Sequence, residues 1–224
     1  MKASLTLTTL LLAALTSPML ADTVTPQQVL TFGPADGSAG EWYYNGAGVM
    51  SFDQDIVVDS GLAGNYDALV GARVYLPTFQ VSGIPGAPYT LTPLGSSEIT
   101  IKSADNSVTY MTGTLTISDL TTVGTIAGAY TQFQADITNV FITHEGSALG
   151  SAALAILENL RVTSLDFDLS FTGGSGSGYK SFADMLDRGG IGSGGFSGSM
   201  SIPEPATIVL LGLSGLTLVR RRHT

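Results

Sequence analysis

The sequence predicts an all-β protein: an antiparallel β-sandwich of jelly-roll type with one short helix, set between an N-terminal signal peptide and a C-terminal transmembrane helix. Three observations predict it. Apolar residues in the middle of the chain recur with a period of two, serine, threonine and aspartate fill the alternate positions, and one stretch has clear helical spacing. About seven or eight such strands with polar outer faces suit two packed antiparallel sheets, with a barrel as the alternative. An outer-membrane barrel would need apolar outward faces with aromatic girdles, and would leave the hydrophobic tail unexplained.

The chain of 224 residues is long enough for one core plus sorting segments, and short for two full domains. The expected division is a signal peptide over 1–21, a β domain over 22–172, a Gly/Ser-rich spacer over 173–201 and a sorting tail with a transmembrane span over 202–224. Formal net charge is -9, yet four of the nine Lys and Arg (Lys2 and Arg220 to Arg222) sit in the terminal segments. Between Asp22 and Ile202 there are 17 Asp or Glu against five Lys or Arg, which leaves that body near -12. Such a surface repels phosphate backbones, so nucleic acid is excluded as a partner. With no cysteine, disulfides, thiolate metal sites and a cysteine nucleophile are excluded as well.

Taken in order, Lys2 supplies a positive start, Leu5 to Leu15 an apolar region, and Ser17-Pro18 a helix break before Met19-Leu20-Ala21. This is the pattern of a secretory signal peptide, with signal peptidase expected to cut after Ala21. Asp22 to Asn45 is turn-rich, with Gly33-Pro34 and Asp36-Gly37 as breakers. Met50, Phe52, Ile56 and Val58 then share one face, with Asp53 and Asp55 on the other. Segments around Arg73 to Val81 and Tyr89 to Thr92 are expected as strands interrupted by prolines. Ile99 and Ile101 alternate with polar residues, and the turn Asp105-Asn106 leads into a second strand from Val108 to Ser118, which predicts a hairpin. The two clearest strands carry Phe133, Ala135, Ile137 and Phe141, and Leu165, Phe167, Leu169 and Phe171. Between them Ala153, Ile156, Leu157 and Leu160 have helical spacing behind Ser151, an N-cap residue. Gly173 to Gly178 and Gly192 to Gly195 bracket a helical turn expected over Phe182 to Asp187, in a stretch otherwise expected as spacer.

Candidate chemistry is sparse. Gly190, Gly192 and Gly195 match GxGxxG, but follow no predicted strand and open no helix. His144 is the one histidine of the body, too few for a catalytic triad without a nucleophile elbow or for a histidine zinc site. Asp53 and Asp55, and Asp166 and Asp168, each project from one strand face, where hard oxygen ligands could meet calcium. The EF-hand spacing is absent and alternating acids on a wet strand need no metal, so no cofactor is expected. Trp42, Tyr43 and Tyr44 form the aromatic cluster Glu41-Trp42-Tyr43-Tyr44-Asn45, a candidate glycan contact whose competing explanation is a core position.

At the C-terminus, Pro203-Glu204-Pro205 precedes an apolar span and the basic run Arg220-Arg221-Arg222. Ala206 to Val219 would be about 21 Å long as a helix, against a hydrocarbon core of about 30 Å, so spanning needs the flanking residues and snorkelling arginines. The arginines would hold the C-terminus in the cytoplasm. An ordinary anchor explains the span but not the Pro-Glu-Pro motif. In motif, Gly/Leu-rich span (Gly212, Leu213, Gly215, Leu216) and terminal charges, this tail resembles the PEP-CTERM sorting signal of bacterial exported proteins. The resemblance covers about a tenth of the chain. It implies a Gram-negative source, an exosortase-type enzyme as processing partner, transient residence in the inner membrane, removal of the tail near the motif, and delivery to the cell surface or an extracellular polysaccharide matrix.

The expected function is therefore that of a non-enzymatic surface or biofilm-matrix protein serving structure or adhesion. A secreted carbohydrate-active enzyme or carbohydrate-binding module is the alternative.

Overall fold

Serine, threonine and aspartate alternating with apolar residues produce strands along most of the body. The computed structural model describes residues 27–35, 42–52, 56–85, 88–116, 118–123, 130–171, 179 and 182–203. In chain order its strands are β1 (Gln27–Pro34), β2 (Trp42–Tyr44), β3 (Val49–Phe52), β4 (Ile56–Gly61), β5 (Arg73–Tyr75), β6 (Phe79–Ser82) and β7 (Tyr89–Pro93). They continue as β8 (Glu98–Lys102), β9 (Thr109–Thr116), β10 (Ser118–Val123), β11 (Tyr130–Ile142), β12 (Ser164–Phe171), β13 (Gly192–Gly194) and β14 (Phe196–Ile202). Three short helices occur among the described residues: α1 (His144–Ala148), α2 (Ala152–Asn159) and α3 (Phe182–Asp187).

Eight strands close into an antiparallel barrel in the order β12-β14-β1-β4-β5-β8-β9-β11, with β11 returning to β12. The other six branch from β11 as β10-β7-β6-β3-β2-β13. The branch point is the length of β11. One edge pairs with β12 from Thr131 to Thr138; the other pairs with β10 over Tyr130 to Phe133 and with β9 over Asp136 to Ile142. A register shift between Thr138 and Phe141, with Asn139 at φ 53°, marks a bulge there.

This closed ring corrects the expected sandwich. Alternation with one wet face is common to sandwiches and barrels, and only pairing decides between them. The decisive pairings belong to β14, which lies between β12 and β1 in the ring. Its residues fall in the stretch expected to be a spacer, so that boundary is corrected too: α3, β13 and β14 are parts of the fold. Three further expectations change. Asp22 to Asn45 contains β1 and β2, and the single strand expected from Met50 to Val58 is two, β3 in the branch and β4 in the barrel. The expected helix forms at Ala152–Asn159 with Ser151 accepting from the Leu154 amide, the helical turn expected over Phe182 to Asp187 forms as α3, and α1 is the addition.

No helix among the described residues is long and apolar enough to cross a membrane. The predicted transmembrane helix is therefore absent from the described fold. The tail beyond Pro203, with Glu204, Pro205 and Arg220 to Arg222, lies outside the described residues, as does the expected signal peptide.

Inward positions are occupied by large apolar side chains, and the aromatic ones touch in sequence. Phe32 stacks on Phe167 at 5.7 Å, Phe167 meets Phe133 at 6.2 Å, and Phe133 meets Phe79 of the branch at 5.6 Å. Phe79 touches Phe52, which reaches Phe171 and Phe196, so the barrel interior and the branch share one core. Gly198 matters in this packing. It lies opposite Phe32 and Leu169, and a β-carbon there would collide with the Phe32 ring.

The connection from β4 to β5 is tied to α2 by one carboxylate. Asp67, 4% exposed, accepts from the amides of Leu69 and Ala153, both at 3.0 Å, and from the Ser151 hydroxyl. Burial alone would push its pKa up, but the hydrogen bonds from Ser151, Leu69, Ala153 and Ala63 outweigh it and hold the carboxyl below its ordinary value. Gly61 leaves the space the carboxylate fills.

Removing Asp67 strands the Ala153 amide at the start of α2 and the Leu69 amide in the β4–β5 connection. Asp67→Ala is expected to lower the unfolding free energy by about 2–4 kcal/mol, read from urea titration. Because the folded pKa is depressed, the ionised carboxyl stabilises fully above the unfolded value of about 3.9, and that contribution fades as pH falls through the folded value. The stability gap between wild type and Asp67→Asn is thus expected to be constant near neutral pH and to shrink below about pH 4. Gly198→Ala is expected to cost about 1–3 kcal/mol through overpacking against Phe32, with a lowered melting temperature as the readout.

Candidate functional site

Outward-facing polar residues on four neighbouring barrel strands, over a floor that includes Phe32 and Gly198, form a cleft of about 190 Å³. Its centre is β14, where phenylalanine, glycine and methionine point inward and Ser197 and Ser199 point outward. Short side chains on this stave leave a depression between longer ones on its neighbours. In one cross-strand row Asp168 of β12 faces Ser199, which faces Thr31 of β1, which faces Ser60 of β4. In the next, Ser170 faces Ser197. Thr31 Oγ1 and Ser60 Oγ lie 2.8 Å apart and fix that wall.

Asp59 enters through an irregularity. Thr31 pairs with Ser60 and Phe32 with Val58, so Asp59 is the extra residue of a bulge and has no opposite number on β1. Gly33, one step along β1, has no side chain in the way: its β-carbon would lie 3.1 Å from Asp59 Oδ2. The carboxylate leans over that glycine into the cleft. Partial withdrawal from water raises its pKa above the ordinary aspartate value. Neither Asp59 nor Asp168 has a hydrogen-bond or ion-pair partner among the described residues, and no Lys, Arg or His lines the cleft. Two carboxylates, Asp59 exposed and Asp168 half-buried, thus flank a row of hydroxyls and the Gln28 amide above Phe32 and Gly198.

The sequence-predicted residues fare unevenly. Trp42 is 0% exposed, donates from Nε1 to the Gly195 carbonyl at 3.0 Å, and packs edge-on against Phe182 and Phe171. Tyr44 is 8% exposed and also meets Phe182; only Tyr43, at 51%, faces solvent. Strand alternation forces this split, so the three rings form no stacking platform and the core explanation holds for Trp42 and Tyr44. Of the calcium candidates, Asp53 and Asp55 lie outside the described residues. Asp166 and Asp168 share the outward face of β12, Asp168 in the cleft and Asp166 opposite Asp136 of β11. Among the described residues no three His, Cys, Asp or Glu side chains gather as a metal-binding group. His144 is exposed at the start of α1. Gly192 lies in β13, hydrogen-bonded to β2 rather than opening a phosphate loop. Thr31, Ser197 and Ser199 escaped sequence reasoning; the clue available was the alternation from Phe196 to Ile202, hidden among neighbouring glycines.

Phe182, Met185 and Leu186 bury α3 against the core, and the helix is held by two polar contacts. The Ala183 amide donates to the buried Thr131 hydroxyl at 3.1 Å, and the Tyr89 hydroxyl donates to Asp187 at 3.0 Å. Burial, then that bond to Asp187, pushes the Tyr89 phenol up to about 12.

Trp42→Ala is expected to cost about 3–5 kcal/mol of stability, read by chemical denaturation, because it opens a cavity among Phe171 and Phe182. Tyr43→Ala is expected to stay within about 0.5 kcal/mol of wild type. The chain matches no protein-family model, no curated protein and no solved structure.

Proposed function

We propose that this chain is an exported protein of the bacterial cell surface or extracellular matrix, a structural or adhesive component delivered by processing of its C-terminal tail. The observation that carries this reading is the order of features in the last 22 residues: Pro203-Glu204-Pro205, an apolar stretch, then Arg220-Arg221-Arg222. The N-terminal pattern from Lys2 to Ala21 agrees with export in an unfolded state. Between them, the outward positions of β12 and β14 carry serine and aspartate, a wet surface suited to a hydrated matrix.

The position of the motif supports the same reading. Strand β14 ends at Ile202, and Pro203 follows at once. Proline has no amide hydrogen to extend a ladder, so the motif begins where the barrel stops. Cutting after Ile202 leaves every stave whole, and cutting a few residues earlier would remove part of one.

Intact-mass and C-terminal peptide analysis of the exported protein is expected to find an end close to Pro203. A mature surface pool whose chains end at Thr224 would contradict processing. Replacing Pro203, Glu204 and Pro205 by alanine is expected to leave chains that still end at Thr224, read by the same mass analysis.

A further inference from the structure

We infer that the barrel mouth holding both ends of the fold docks on a lipid bilayer surface while the tail is attached, with Tyr66, Val70 and Leu160 entering the headgroup layer. The bilayer as occupant rests on the tail reading above; the composition of the mouth is independent of it.

Strand pairing decides what lies at that mouth. Directions alternate around a closed antiparallel ring, so the start of β1 shares one mouth with the ends of β14, β4, β8 and β11 and with the starts of β12, β5 and β9. That mouth therefore carries the β4–β5 connection, the β8–β9 turn, and the β11–β12 connection with α1 and α2. The six-strand branch attaches at the opposite mouth, through the first residues of β11. Asp67 ties the β4–β5 connection to α2 through the Ala153 amide, and α2 buries Leu154 and Leu157 in the core.

Exposed large apolar side chains collect in two places. Tyr43, Ile84, Leu94 and Ile191 lie in the branch strands or next to them; the other four among the described residues, Tyr66, Val70, Phe141 and Leu160, are all at the mouth. Single exposed apolar residues are ordinary, but a group of them on one surface marks an interaction site. Tyr66 is 95% exposed beside the buried Asp67, so a fixed anchor holds its ring out in water. Three of the five Lys and Arg between Asp22 and Ile202 are here too: Arg73 begins β5, Lys102 ends β8, and Arg161 follows α2. Asp105, Glu145 and Glu158 offset them, which leaves the mouth outside Asp67 near neutral in a body near -12. A near-neutral surface with protruding tyrosine and aliphatic side chains and nearby Arg and Lys suits the membrane interface.

The length of the tether points the same way. Gln27 lies opposite Ile202, so both sorting segments leave the fold at this mouth. Ile202 is four residues from Ala206, where the apolar stretch begins, at most about 14 Å of extended chain. The headgroup layer takes up about 6 Å of that. A tail entering the membrane at Ala206 is thus too short to hold the mouth clear of the surface, and protruding side chains reach across what remains.

The test uses the full chain, which has no cysteine and so accepts single labels. An environment-sensitive fluorophore is placed in Tyr66→Cys, in Leu160→Cys and, in the β6–β7 turn of the branch, in Ile84→Cys, with Leu213→Cys reporting tail insertion. Each chain is reconstituted in vesicles of phosphatidylethanolamine and phosphatidylglycerol containing headgroup spin-labelled lipid. Quenching at positions 66 and 160 is expected to be at least threefold stronger than at position 84. A label in Ser107→Cys, on the β8–β9 turn of the same mouth, is expected to lose at least half of its quenching when Tyr66, Phe141 and Leu160 are replaced by serine, with the thermal midpoint of each variant recorded as a check on folding. Quenching no stronger at the mouth than at the branch, or unchanged quenching at position 107 in the triple serine variant, would overturn the proposal. So would a blue shift at the mouth that ignores the spin-labelled lipid and grows with protein density, which would place a second copy there. A quenched tail label with mouth labels in water refutes the docking alone, quenched mouth labels with a tail label in water refute the tail reading alone, and all labels in water refute both.

Discussion

A strand whose one edge serves two partners governs this architecture. Each edge of a strand offers the N–H and C=O groups of every second residue, so a second partner on the same edge requires extra length. The 13 residues of β11 provide it. Its first residues hold β10 and the whole six-strand branch; its last residues hold β9 and close the barrel. The bulge at Asn139 lies in the part paired with β9, just past Thr138, the last residue of β11 in register with β12. Shortening β11 at either end would remove one sheet's attachment and leave the shared aromatic core facing water.

Two buried oxygens play matching roles at the helices. Asp67 accepts from the Ala153 amide, and Thr131 accepts from the Ala183 amide. Each amide belongs to the second residue of a short helix, one of the first four whose hydrogen bonds the helix cannot satisfy internally. Helices of eight and six residues are marginal by themselves, so their formation depends on packing and on these acceptors. Sequence-distant segments thus decide where the helices start, and the helices in turn cover apolar surface the strands leave open.

The individual strands were legible because Phe133 to Phe141 and Leu165 to Phe171 alternate cleanly between large apolar and polar residues. The ring they close was not, since β14 builds its inward face from Phe196, Gly198 and Met200, and the middle one has no side chain to report its direction. The Phe32 ring fills the space over that glycine, a complementarity between positions 166 residues apart that no local window contains. Trp42 shows the opposite difficulty. Its type was informative, yet the choice between a binding platform and a core ring depended on which strand face it occupied, and three residues of β2 are too few to set a phase. The cleft was least legible of all, because it is made from the absence of bulk at Gly33, Ser197 and Ser199 and from a bulge that turns Asp59 toward them.

The first and last staves are cross-strand partners: Gln27 lies opposite Ile202 in the β1–β14 pair. A chain that emerges from its N-terminus therefore presents β1 long before the strand that must cover its edge. Until then β1 can pair with β4, but the side reserved for β14 stays open, and an open edge recruits other chains. Contacts across such sequence separations are also slow to form. Completion of this barrel is thus timed by the arrival of its last stave, and a chain stopped before Phe196 would lack a wall segment and carry two unpaired edges, on β1 and β12.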